Sequence, residues 1–112
     1  MPQTIRKFWR GPFTGRNVVN FNWEAIDSES VVLVTASLYI ARPNPPPGEN
    51  LQRVDDPTMT VSVHNISPHG PPFDDNLGVT FVVTTEGGIF PPSVFVATDI
   101  TVFDDKPVEI QI

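Results

Sequence analysis

The sequence predicts an all-β chain, an antiparallel β-sandwich or jelly roll of about seven strands with no substantial helix. Three observations carry that expectation. Short stretches alternate apolar and polar residues with the two-residue period of a half-buried strand, recurring at intervals of roughly 8 to 15 residues. Between them, 13 prolines and 7 glycines in 112 residues mark frequent turns. No window carries an apolar stripe at helical spacing. A chain of this length fits one domain, residues 1–112, and buries about two-thirds of its unfolded surface, enough for a core without covalent staples. A partly closed barrel is the alternative arrangement of the same strands.

The longest β-forming run is Val31 to Ala41, VVLVTASLYIA, read as a central strand. Val32, Val34, Ala36, Leu38 and Ile40 share one face, while Val31, Leu33, Thr35, Ser37 and Tyr39 share the other. Ahead of it, Thr4 to Trp9 reads as a first strand or an extended arm, and Gly11 to Gly15 as a turn. Asn17 to Ile26 alternates, with Val19, Phe21, Trp23 and Ala25 on one face and Asn20, Asn22 and Glu24 on the other. The polar connector Asp27-Ser28-Glu29-Ser30 predicts that this strand and the central one pair as a hairpin.

Arg42 to Pro57 is the longest break, and its Pro45-Pro46-Pro47-Gly48 centre favours an extended crossing between sheets. Thr58 to Ile66 places Met59, Val61 and Val63 inward and Thr58, Thr60, Ser62 and His64 outward. A loop leads to Gly78–Thr85, where Val79, Phe81 and Val83 share a face. A long strand then runs from Ser93 to Phe103, with Val94, Val96, Ile100 and Val102 on one side. Asp104-Asp105-Lys106-Pro107 turns the chain into a last strand at Val108–Ile112, a candidate open edge.

Charge is unevenly spread. The net charge is −6, yet Arg6, Lys7, Arg10 and Arg16 all precede the first acidic residue, Glu24. Residues 1–16 therefore read as a basic, aromatic arm on an acidic body, which folds back on itself, docks on a neighbouring copy or meets an anionic partner. Nucleic acid is not expected, because the acidic body repels phosphates. The absence of cysteine excludes disulfides, a thiol nucleophile and thiolate zinc sites. No apolar run has signal-peptide or membrane-span character, so the chain is expected to be soluble, cytoplasmic or part of a particle, with the compartment left open.

Candidate functional residues fall into three groups. The off-core faces of the two longest strands carry Val31, Leu33 and Tyr39, and Phe95, Ala97 and Phe103, more apolar surface than a lone sandwich exposes. Either the segment with Phe8, Trp9 and Phe13 covers it, or it meets another subunit. The expected interface is Arg6, Lys7, Trp9, Arg10, Phe13, Val31, Leu33, Tyr39, Phe95 and Phe103. Loop aromatics form the second group, since a pyranose ring packs its C–H face on an aromatic plane. Trp9, Phe13, Phe73 and Phe90, with Asn76 and the aspartates nearby in sequence, are the candidates for a glycan, against a loop-anchoring role for Phe73 and Phe90, which flank Pro-Pro pairs.

Three aspartate pairs, Asp55-Asp56, Asp74-Asp75 and Asp104-Asp105, form the third group. They suit calcium if they converge, and otherwise serve as turn formers. His64 and His69 read as solvated residues, and no nucleophile elbow or phosphate loop supports catalysis. Asn65-Ile66-Ser67 matches a glycosylation acceptor, without a secretory signal to give it meaning. The expectation is a non-enzymatic, self-associating subunit of a particle or filament that needs no cofactor and whose partners are other copies or neighbouring subunits. The alternative is a small carbohydrate-binding module, calcium-assisted if the aspartates meet.

Overall fold

The computed structural model describes residues 2–10, 13–41, 51–54, 57–87 and 93–103. They form seven strands and no helix: β1 (Gln3–Arg10), β2 (Gly15–Asn22), β3 (Val32–Ala41), β4 (Leu51–Arg53), β5 (Thr60–His69), β6 (Gly78–Glu86) and β7 (Val94–Val102). Two antiparallel sheets result, sheet A in the order β1-β7-β3-β4 and sheet B in the order β2-β6-β5. The sandwich is therefore observed. A jelly roll sets eight strands in two Greek keys, and the described strands number seven.

The two-residue period decides what is buried. The inner face of β3 presents Val32, Val34, Ala36, Leu38 and Ile40, and that of β7 presents Val94, Val96, Ile100 and Val102. Facing them from sheet B are Val19 and Phe21 on β2, Val79, Phe81 and Val83 on β6, and Val61 and Val63 on β5. β6 and β7 are the most enclosed strands, each flanked along its length by a strand on both sides, whereas β4 covers only three residues of β3. Thr98 is the one polar residue on the inner face of β7, and it is fully buried. Its hydroxyl donates to the Lys7 carbonyl and accepts the Trp9 indole N–H at 2.8 Å, which removes the cost of an unpaired buried group.

Three expectations change. The Arg42–Pro57 stretch, read as one break, holds the short strand β4, which pairs with the end of β3 from Tyr39 opposite Arg53 to Ala41 opposite Leu51. β2 and β3 do not pair as a hairpin; they lie in different sheets. Alternation stops at Asn22, the Trp23 amide bonds the Leu77 carbonyl, and Ile26, of the opposite parity to Trp23 and Ala25, turns fully into the core. The segment 23–31 is thus a step from sheet B to sheet A, plugged by Ile26. Strand β5 also runs past Ile66, through Pro68 to His69. It is an edge strand, where proline's missing N–H removes no ladder bond, and a bulge between His64 and Ser67, with Asn65 at φ 52°, absorbs the irregularity.

The Thr4–Trp9 stretch is a full strand, paired from Gln3 opposite Val102 to Arg10 opposite Phe95. Gly78 shows how closely the sheet B strands approach: a Cβ there would meet the Phe21 carbonyl oxygen and, at 2.8 Å, the Asn22 Cα. The predicted strand at Val108–Ile112 lies outside the described residues, as does the Pro45–Gly48 stretch.

Candidate functional site

The outer face of sheet A collects most of the residues singled out above. Pairing of β1 with β7 and of β7 with β3 sets Arg6, Asp99 and Thr35 in one row, Phe8, Ala97 and Ser37 in the next, and Arg10, Phe95 and Tyr39 in a third. β4 adds Arg53 beside Tyr39. Leu33 is 50% exposed, and Val31 and Phe103, joined by the Phe103 N–H to Val31 carbonyl bond, extend the surface past the strand ends.

Packing within this surface is specific. Phe8 meets Tyr39 edge-on across β7, centroids 5.5 Å apart, and Ala97, in the row with Phe8, is only 1% exposed although it faces outward. Only a side chain as small as alanine leaves room for aromatic rings on both flanking strands to close over it. The Arg6 guanidinium donates twice to Asp99, Nε to Oδ1 at 2.6 Å and Nη2 to Oδ2 at 2.9 Å, and reaches the Tyr39 hydroxyl at 3.3 Å. Arg10 lies over Phe95 at 5.3 Å, an attraction between cation and ring face.

These contacts favour the charged forms of Arg6 and Asp99. The Arg6 hydrogen bond, then its charge, hold the Asp99 carboxyl below its ordinary range despite partial desolvation. Arg6 is raised by the same partner. Beside the Arg6–Asp99 pair, Arg10 and Arg53 add two further cations to this face.

Placement divides the expected interface residues. Arg6, Arg10, Leu33, Tyr39 and Phe95 share the outer face, and Val31 and Phe103 border it. Lys7, Trp9 and Phe13 do not belong to it. Lys7 and Trp9 have the inner parity of β1, with the ammonium 5.4 Å from the indole centroid, and Phe13 is buried in the core. The N-terminal segment therefore widens the outer face as an added strand rather than lying over it. Asp99 and Arg53 were not anticipated. A signal for Asp99 was present, a lone carboxylate at the parity of Phe95, Ala97 and Phe103, but its meaning depends on a register opposite Arg6.

The remaining candidates lie elsewhere. Phe73 is 87% exposed at the lip of a cleft of about 390 Å³ lined by Asp27, Ser28, Glu29, Pro71, Pro72 and Phe73. Asp27 and Asp74 each cap their own turn, accepting the Glu29 and Asn76 main-chain N–H groups. His69 is a tie rather than a solvated residue: Nδ1–H donates to the Asn76 carbonyl and Nε2 hydrogen-bonds the Asn20 side chain, both at 2.6 Å. His64 is exposed and bonds Ser62. Among the described residues no three or more His, Asp or Glu side chains come together as a metal site. Asp55, Asp56, Phe90, Asp104 and Asp105 lie outside them.

Among the described residues no helix is long and apolar enough to cross a membrane. Comparison with known protein families, curated proteins and solved structures found no match.

Proposed function

We propose that the protein is a non-enzymatic assembly subunit that associates with other copies of itself through the outer face of sheet A. The observation that carries this reading is the aromatic and arginine surface formed by Phe8, Tyr39 and Phe95 with Arg6, Arg10 and Arg53. Aromatic and arginine side chains are the types enriched where protein surfaces bury one another. Charge supports the same partner: the residues after Trp23 hold thirteen acidic and three basic side chains, so each copy offers both a cationic face and an anionic body. A contact between unlike surfaces repeats head to tail, closing into a ring or continuing as a filament.

The test is sedimentation of Leu33→Ser/Tyr39→Ser beside Val18→Ser, a control on the outer face of sheet B. The reading expects association lost in the first and kept in the second. Equal behaviour of the two variants contradicts it.

A second reading rests on the cleft beside Phe73: a carbohydrate module in which that exposed ring takes the apolar face of a pyranose and nearby polar groups take its hydroxyls. A glycan array run with wild type and Phe73→Ala tests it. Binding lost with the ring supports this reading, and a blank wild-type array removes it.

A further inference from the structure

Among the described residues, strand β1 is bonded on one side only. It pairs with β7 along its whole length, and no described strand lies beyond it. In an antiparallel strand alternate N–H and C=O groups point away from the partner, so this edge offers a row of main-chain donors and acceptors. The edges at the other side of the sandwich are blunted. β4 is three residues long, and β5 is broken by the Asn65 bulge and carries Pro68. β2 is also an uninterrupted edge, with Arg16 as its one cation, whereas β1 carries Arg6, Lys7 and Arg10.

Cations on an edge strand ordinarily guard it against pairing. Those of β1 are drawn back over the strand and sheet: Arg6 onto Asp99 and Tyr39, Arg10 onto Phe95, Lys7 onto Trp9. These side chains do not cover the backbone edge, no described strand pairs with it, and the positive charge stays beside it. Ile5 and Phe8, on opposite faces of β1, are both exposed.

We propose that the edge of β1 away from β7 is a strand-addition site for an extended acidic segment of a partner polypeptide. In such a contact main-chain bonds supply affinity and alternate side chains supply selectivity. Running antiparallel to β1, the added strand sets carboxylates opposite Arg10 and Lys7 and apolar side chains opposite Phe8 and Ile5. Each face then holds one charge pair and one apolar pair. Read from its N-terminus, the segment is acid, any, apolar, acid, any, apolar. A second β1 is a poor occupant, because its own cations would lie beside these. This site is the strand edge rather than the outer face, and it is tested separately.

The probe is a synthetic, dye-labelled peptide containing Glu-Thr-Val-Glu-Thr-Val, compared with its lysine-for-glutamate twin and with a form N-methylated at the main-chain nitrogens that face β1. Anisotropy reads affinity, and amide hydrogen exchange reads location. The glutamate peptide is expected to bind at least about tenfold more tightly than the lysine twin, to lose binding on N-methylation, and to slow exchange at alternate residues of Gln3–Arg10. Lys7→Glu/Arg10→Glu should reverse the preference. Equal binding of the N-methylated form, protection confined to β2 or to the outer face, or no binding at millimolar peptide would overturn the proposal.

Discussion

The two outward faces of this sandwich solve the same problem differently. On sheet B, Thr80 and His69 both hydrogen-bond the Asn20 side chain, which in turn donates to Asn22, while Ser62 bonds His64. Short polar groups satisfy one another there and meet water; Val18, 65% exposed, and Val82 beside it in the same row are the apolar exceptions among the described residues. On sheet A the corresponding rows hold Phe8, Tyr39, Phe95 and Leu33 among arginines. Sheet B shows that the chain can build an ordinary solvent face. The character of sheet A is therefore not dictated by the strand pattern alone, and the proposed contact between copies would account for it.

The contrast is sharpest when the shared interior is left out, which mutation can do. Ile100→Ala removes fully buried side chain from the inner face of sheet A and should cost about 2–5 kcal/mol in denaturant unfolding. Outer-face variants such as Leu33→Ser should fall well below that. Comparable losses would mean that the outer face is itself core. Next in size, Gly78→Ala forces a methyl against the Phe21 carbonyl and Asn22 Cα, with an expected cost of roughly 1–3 kcal/mol. A neutral outcome would show that β2 can shift.

On sheet B, His69→Ala cuts the ties to Asn20 and Asn76 and should cost about 1 kcal/mol, with faster amide exchange across 70–77. Unchanged exchange would show that the loop is held by other contacts. The smallest effect separates the faces by pH. Because Arg6 depresses the Asp99 carboxyl, the pair contributes in full above the ordinary carboxylate range, about pH 4. That contribution is lost as pH falls through the lowered Asp99 value. Asp99→Asn should remove this acid limb from the unfolding midpoint, and an unaltered limb would place it in other carboxylates.

Much of the fold was legible because period-two alternation is local. The parities of β3, β6 and β7 follow from side-chain order, and the wider second face of sheet A followed from the same reading. What was not legible depended on partners distant in sequence. Whether Asn17–Ile26 pairs with the next strand turns on Ile26 reaching across the sandwich, and burial of Thr98 makes sense only once Trp9 and Lys7 lie beside it. Likewise Phe13 and Trp9 looked like exposed anchors, because nothing local distinguishes an aromatic that docks outward from one that closes a core.

The most direct test is the absolute mass in solution by light scattering after size exclusion, across concentration and at low and high salt. Self-association through the sheet A face predicts a multimer that dissociates in the Leu33→Ser/Tyr39→Ser variant. It also predicts weakening in salt, where the cationic face and acidic body are screened from one another. A monomer at millimolar concentration, or a multimer indifferent to those two substitutions, would contradict it.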